Sequence, residues 1–386
     1  MAMGRSKTVL IAMDSLTCGG GEKSLTSMLP FLISAGCDVT LALEARGGVF
    51  EKLVPPEVKI TSVRHKKSNS ISDYIRRILY RIRIRLPWNR HLHRAEFFWQ
   101  AYGSNYIGPD DVFDVAIGYQ QGFSTYFIAD HVKARKKICW INADIEASRH
   151  LVEYCRRYYA LFDNIVTPSA ILKEKLATTR FIKYPDRLVC INDIVNESVI
   201  RNLANKYTPF NNDGRFHITS VGRLVKEKGY HLAIAAARML ADAGIDFCWH
   251  IVGDGSLRNQ LSELISSLGL MDHIILEGQK ENPYPYIKHS DIFVQTSVHE
   301  GFGITIAEAK VLDKPIVCTD FPVVFDQLQN RVNGIIVGME PRLIADAIIE
   351  LYKNDDLRRS LECQLKSEVN SSTVNEATKL VNLVCS

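Results

Sequence analysis

The chain has 386 residues, 46% hydrophobic and 23% charged, the composition of a soluble globular protein long enough for two domains of ordinary size. No apolar run reaches the roughly 20 residues of a membrane-spanning helix, and residues 1–6 lack the apolar stretch of a secretory signal. The net charge of +4 conceals an asymmetry: residues 64–94 carry ten Lys/Arg against one acid, Asp73, and the rest of the chain holds 37 basic and 42 acidic residues. Nine cysteines are scattered singly, with no C-x-x-C pair. Neither a zinc site nor a disulfide framework is expected from that spacing, and a reducing cytoplasm is the default.

In chain order, Thr8–Met13 (TVLIAM) reads as a buried parallel strand. It leads into Gly19-Gly20-Gly21 and a helix over about 22–35, the opening of a Rossmann-like unit. TCGGGEKS is not a Walker A loop, because Glu22 precedes Lys23, and it does not match G-x-G-x-x-G. Glycines that only permit tight strand–helix packing are the alternative. Strands follow at 39–43 and 58–63. Ile71, Ile75, Ile78, Leu79, Ile82 and Leu86 then recur at three and four residues, a helical stripe. Arg76, Arg77, Arg81, Arg83 and Arg85 are mixed with it, and Trp88, Phe97, Phe98 and Trp99 follow. A basic amphipathic helix flanked by aromatics fits the surface of an anionic bilayer. A core-facing helix with a solvated back, a nucleic-acid arm and a grip on an anionic substrate are the alternatives.

Strands are expected at 112–117 and 137–141. Asn142 and Asp144 follow the second, at the carboxyl end where open α/β sheets bind ligands; turn chemistry is their alternative. Strands at 164–167 and 188–191, with a helix from Pro168-Ser169, complete about six strand–helix repeats. Polar, turn-rich residues 196–215 mark a domain boundary. A second series has strands at 217–221, 247–252, 274–276, 292–295, 316–318 and 334–337. They end in Gly222-Arg223, Gly253-Asp254-Gly255, Glu277-Gly278-Gln279, His299-Glu300-Gly301, and Thr319-Asp320. Ser256 is a possible helix cap, and tail helices are expected over 341–352, 356–369 and 374–384. The alternation makes the fold α/β, with two doubly wound Rossmann-like domains facing each other across a ligand-binding cleft. Their expected limits are 1–197 and 198–370, with a final helix in 371–386 packing back on the first.

The densest chemistry lies in HEGFGITIAEAK, residues 299–310. Glu300 and Glu308 flank a Gly-Phe-Gly turn, Gly301 and Gly303 allow close backbone approach, and Thr305 is a plausible N-cap. A glycine loop opening a helix is an anion site, and phosphate is its commonest occupant. Carboxylates beside a phosphate site suit a nucleotide sugar. The alternative is that Thr305-x-x-Glu308 spells a capping box, which would make Glu308 a local acceptor. Arg223 and Lys228 also follow a strand. If these loops share one sheet edge, the cations neutralise a departing diphosphate, while one carboxylate accepts two ribose hydroxyls and another orients a hexose. No metal or other cofactor is then needed, because the protein supplies the positive charge.

Through Gly19-Gly20-Gly21, SVGRLVKEKG (220–229), IVGDG (251–255), HEGFGITIAEA with its E-x7-E, KPIVCTD and NGIIV, the chain resembles glycosyltransferases of the GT-B type, specifically glycosyltransferase family 4. The resemblance implies a retaining, metal-independent hexosyltransferase that takes a nucleotide-diphosphate sugar, most simply a UDP-sugar. It also implies a saccharide or lipid-linked acceptor, as in capsule, O-antigen or lipopolysaccharide synthesis. By this likeness Glu308 binds the ribose, Glu300 contacts the donor sugar, and Arg223 and Lys228 hold the diphosphate. Backbone at Gly20, Gly21, Phe302, Gly303 and Ile304 lines phosphate or sugar, Gly253 and Asp254 belong to the donor lining, and Gln279 meets the base. Related transferases often carry histidine in W-x-H-x-D; Asn142 stands there, so the histidine is dispensable or His150 or another group substitutes. Asp144 falls on the acceptor side. Arg76, Arg77, Arg81 and Trp88 would bring a cytoplasmic enzyme to the inner face of the membrane. No nucleic-acid partner is implied. A nucleotide-sugar 2-epimerase of the same fold, and a nucleic-acid-binding protein built on residues 64–94, are the rival readings.

Overall fold

Short apolar runs buried on both faces become parallel strands. The computed structural model describes residues 6–17, 19–66, 70–90, 92–211 and 213–386, without the side chains of 73 and 369–372. Its strands are β1 (Thr8–Met13), β2 (Asp38–Leu43), β3 (Lys59–Ser62), the two-residue β4 (Arg64–His65) and β5 (Tyr106–Ile107), β6 (Val112–Gly118), β7 (Lys133–Trp140), β8 (Asn164–Thr167) and β9 (Leu188–Cys190). They continue with β10 (Phe216–Val221), β11 (Phe247–Val252), β12 (Ile274–Gly278), β13 (Ile292–Gln295), β14 (Ile316–Thr319) and β15 (Ile335–Val337). The chain divides into two compact units, Met1–Ile194 with Asn375–Ser386, and Val195–Val374.

The first unit holds a seven-stranded sheet in the order β3-β2-β1-β6-β7-β8-β9, parallel throughout. Its core joins Val9, Ile11 and Met13 to Leu25, Leu29 and Leu32 of α1 (Gly20–Ser34) and to Ala377, Leu380 and Val384 near the C terminus. The second holds six parallel strands ordered β12-β11-β10-β13-β14-β15. Its core packs Ile218, Trp249, Ile251 and Val294 against Ile234, Ala237 and Leu240 of the Tyr230–Asp242 helix. The strand order reverses between β1 and β6 in one sheet and between β10 and β13 in the other. A reversal of this kind separates the helices that follow its two strands, opening a crevice above their carboxyl ends.

The structure corrects several sequence expectations. The first helix begins at Gly20, so Gly20 and Gly21 form its first turn behind Gly19, and Lys23 N closes the first helical bond on Gly19 O at 3.2 Å. Thr305 is not a cap: Gly303 holds that position at φ 89°, and Ser256 caps nothing, the following helix starting at Arg258. The three tail helices are two, Pro341–Lys353 and a continuous Asp355–Cys385. No glycine or proline lies within 355–385 to stop the second one. A short helix, Tyr284–His289, was not expected at all.

Candidate active site

At the switch point of the second unit, residues 222–229 leave β10 and residues 296–303 leave β13, and these strands are hydrogen-bonded neighbours. Val298 N donates to Glu227 O at 2.8 Å and Thr296 Oγ1 to Lys228 O at 3.1 Å. Gly229, at φ 63°, sits so close that a Cβ there would lie 2.1 Å from Thr296 O. The two loops are thus locked backbone to backbone, and only glycine fits the crossing.

This locking brings Lys228 Nζ within 2.5 Å of Glu300 Oε1. The same carboxylate oxygen accepts from Gln295 Nε2 and Ser297 Oγ, both at 2.7 Å. Gln295, only 5% exposed, accepts Thr305 Oγ1 at 2.6 Å through its own oxygen. Thr305 therefore fastens the helix start to β13, and the capping-box role falls away. Glu308 is buried on the same helix, Ile304–Val311, and accepts Tyr284 OH at 2.9 Å. Burial and the Glu308 charge push the Tyr284 phenol well above its usual range, so it stays a donor. Gln327 Nε2 bonds the carbonyls of Phe302 and Gly303, fixing the turn whose following amides open the helix. Arg223 is exposed in the loop after β10. The structure thus gathers Lys228, Glu300, Glu308, Phe302, Gly303 and Ile304 at one strand edge, with Arg223 on the same loop as Lys228.

Gly253 and Asp254 have mainly local roles. A Cβ on Gly253, at φ 149°, would lie 1.9 Å from Gly222 O, and Leu224 N donates to Asp254 O at 2.9 Å. The loop after β11 thus braces the Arg223 loop. Gln279 is exposed just past β12. Sequence reasoning missed Gln295, Ser297, Tyr284 and Gln327. Gln295 and Ser297 carried one available signal, polar residues at the mouth of an otherwise apolar strand.

In the first unit, a Cβ on Gly21 would stand 3.5 Å from Asn142 Nδ2, so α1 and the turn after β7 touch. Asn142 Nδ2 donates to Tyr119 O at 2.8 Å, while its buried Oδ1 has no hydrogen-bond partner among the described residues. Asp144 closes a turn, accepting Glu146 N at 2.9 Å and Ala147 N at 3.1 Å, and pairs with Lys175. His150 is buried on Glu96 and stacked on His93, which commits it away from Asn142.

The basic helix, α2 (Ile71–Arg83), packs on α3 (Ala95–Tyr102) through its polar side. Arg76 bonds Ser104 at 2.6 Å, Arg83 bonds Gln100 at 2.5 Å, and Tyr80 meets Phe98 and Tyr102. Ile71, Tyr74, Ile75, Ile78, Leu79 and Ile82 are left exposed, with Arg77 and Arg81 beside them and Trp88 66% exposed. The expected aromatic flank is corrected: Phe97 and Trp99 are core residues of α3, and Trp99 stacks on Tyr106. No helix among the described residues is long and apolar enough to cross a membrane.

Two doubly wound parallel sheets, each reversing order at a loop-rich edge, define a protein of the GT-B fold. HepE of Anabaena, solved with UDP-glucose, matches 98% of this chain with 99% of its own at a TM-score of 0.74 and 15% identity. Residues 205–366 match the family described as "Glycosyl transferases group 1". The capsular polysaccharide biosynthesis glycosyltransferase CapM of Staphylococcus aureus is 25% identical over 230 residues, 56% of this chain and 60% of CapM. The N-acetylgalactosamine-N,N'-diacetylbacillosaminyl-diphospho-undecaprenol 4-alpha-N-acetylgalactosaminyltransferase of Campylobacter jejuni is 32% identical over 149 residues, 36% of this chain and 40% of that one. The chain thus spans about half the length of the curated relatives it matches.

Proposed function

We propose that this protein is a retaining glycosyltransferase that moves a hexose from a UDP-sugar to a lipid-linked saccharide at an anionic membrane surface, in the synthesis of a cell-surface polysaccharide. The observation that carries the reading is the Lys228–Glu300 pair at the β10/β13 switch point, beside a glycine-capped helix start and Arg223. Such a cluster matches the charge pattern of a nucleotide-diphosphate sugar: cations and amides for the phosphates, carboxylates for hydroxyls. HepE holds UDP-glucose on the same fold, and the Campylobacter relative's name specifies a diphospho-undecaprenol-linked acceptor.

In this reading Arg223, Lys228 and the amides after Gly303 meet the charge that builds on the leaving diphosphate. Glu308, steadied by Tyr284, takes the ribose hydroxyls. Glu300 turns one oxygen to its three donors and offers the other to the hexose. The bond from the sugar's anomeric carbon to phosphate breaks, the acceptor oxygen bonds that carbon on the same face, and the acceptor proton passes to the departing phosphate oxygen. No protein nucleophile and no metal ion takes part in the proposed step. Asn142, whose Oδ1 has no partner among the described residues, accepts a sugar hydroxyl rather than a proton.

The outward apolar stripe of α2 supports the membrane part. A water-facing helix normally turns its isoleucines to the core; here Ile71, Ile75, Ile78, Leu79 and Ile82 are exposed alongside Arg77 and Arg81. Isoleucines flanked by Arg77 and Arg81 suit acyl chains beneath anionic headgroups. The test is product analysis with a panel of nucleotide sugars and undecaprenyl-diphosphate saccharides. Acceptor-dependent transfer with retained anomeric configuration is expected. Acceptor-free interconversion of the nucleotide sugar would replace the reading with an epimerase.

A further inference from the structure

Three side chains in the second unit are unused by the proposed transfer. His217 lies on β10, and Cys248 and His250 lie on β11 two residues apart, hence on one face of that strand. His217 and Cys248 are direct register partners. All three are buried, and one donor atom from each lies within 4.8 Å of the others. His217 Nδ1 and His250 Nε2 face each other at 3.2 Å. The outer nitrogens point to carboxylates, His217 Nε2 to Asp213 at 3.0 Å and His250 Nδ1 to Glu277 at 2.9 Å. Phe210 lies flat on both rings, with centroids 4.2 and 4.3 Å away.

The line Asp213–His217–His250–Glu277 contains three contacts, each needing a hydrogen-bond donor or a cation. Two neutral imidazoles bring only two protons. Once each imidazole donates to its carboxylate, the buried contact between the two rings has no proton left and needs a further proton or a cation; Arg215 and Lys280 pair with other oxygens of Asp213 and Glu277 and do not reach between the rings. We propose that His217 Nδ1, His250 Nε2 and Cys248 Sγ hold one divalent cation of the zinc class. Two imidazole nitrogens on one tetrahedral zinc, each about 2.0–2.1 Å from the ion, stand about 3.3 Å apart, close to the spacing found. With the ion in place both outer nitrogens keep their protons and donate to Asp213 and Glu277. These are the outer-shell carboxylates that orient metal-bound imidazoles. The donor set of two imidazoles and a thiolate selects zinc over magnesium or calcium. Binding displaces the thiol proton and any proton held between the rings. The ion joins β10 to β11 and, through Glu277, to the end of β12, and its binding does not depend on the sugar transfer. Sequence spacing conceals the site, because its ligands come from two strands some thirty residues apart.

The test is metal analysis of tag-free protein purified without chelators and dialysed against micromolar zinc, together with cobalt substitution. About one zinc per chain is expected, as is a thiolate-to-cobalt absorption band that disappears in Cys248→Ser. His250→Gln should weaken zinc binding at least tenfold. Glu96→Gln, in the separate His93–Glu96–His150 group, should leave stoichiometry unchanged. Wild-type protein holding less than a tenth of an equivalent, with no cobalt band, would overturn the proposal and leave a shared proton between the rings. So would a full equivalent surviving in the Cys248→Ser/His250→Gln double variant. If a variant does not fold, the wild-type zinc content and cobalt spectrum decide alone.

Discussion

Gln295→Leu probes the network behind Glu300 with little change of volume. Gln295 donates to Glu300 at 2.7 Å and accepts from Thr305 at 2.6 Å, and both Gln295 and Thr305 are buried. Leucine removes a hydrogen bond to a charged group, worth about 1.5–3 kcal/mol, and orphans the Thr305 hydroxyl at a further cost of about 1–3 kcal/mol. The two effects share a side chain, so a combined loss of about 2–4 kcal/mol is expected rather than their full sum. Urea unfolding followed by amide exchange in β10 and β13 reports this unit specifically. Thr305→Val alone leaves the Gln295 oxygen unpaired, whereas the double variant leaves neither group orphaned. The double-mutant cycle should therefore show coupling of at least about 1 kcal/mol. A Gln295→Leu loss below about 1 kcal/mol, or strictly additive changes, would refute the latch and its hold on Glu300.

Lys228→Met should leave folding largely intact, because Glu300 keeps Gln295 and Ser297 as donors, and should weaken UDP binding about 10- to 100-fold by calorimetry; an unchanged Kd would remove Lys228 from the diphosphate site. Gly253→Ala places a Cβ 1.9 Å from Gly222 O at φ 149° and should cost more than about 2 kcal/mol, seen as a lowered Tm; a neutral change would show that the loops yield freely. Burial, followed by the charges of Glu44 and Glu22, raises Asp14 from 3.8 to about 7. The unfolded chain releases that proton first, so Asp14 lowers stability progressively from about pH 4 to pH 7. Asp14→Asn should match wild type near pH 4 and exceed it at pH 8, and parallel pH–stability curves would contradict this. Ile75→Asp with Leu79→Asp should abolish flotation with phosphatidylglycerol vesicles while leaving UDP affinity unchanged; retained flotation would take the bilayer contact away from α2.

The sequence showed the alternation of strand and helix plainly, because apolar runs such as FCWHIV and IFVQ are too short for helices and end in glycine or polar turns. Strand ends mark Glu300, Lys228 and Arg223 in the sequence itself, since parallel strands deliver their following loops to one edge. What stayed hidden depends on which strands are neighbours. The loop locking at Gly229 and the His217–His250 line need the β11-β10-β13 order, and the Gln295–Thr305 latch needs the turn that folds the helix start back on the end of β13. Periodicity gave α2 its helix and its two faces but not their orientation; only the contacts of Tyr80, Arg76 and Arg83 with the α3 region show the polar side turned inward. Thr305 misled because a threonine just after a glycine turn resembles a cap, whereas left-handed Gly303 had already taken that position.

The most direct measurement is UDP binding by titration calorimetry to wild type, Arg223→Ala and Glu308→Ala, each first shown to be folded by circular dichroism. Saturable one-to-one binding in wild type, weakened at least tenfold by either substitution, is the expected result. A folded wild type that takes up no UDP or other nucleoside diphosphate, or two variants that bind as tightly as wild type, would contradict a diphosphate site at the β10/β13 edge.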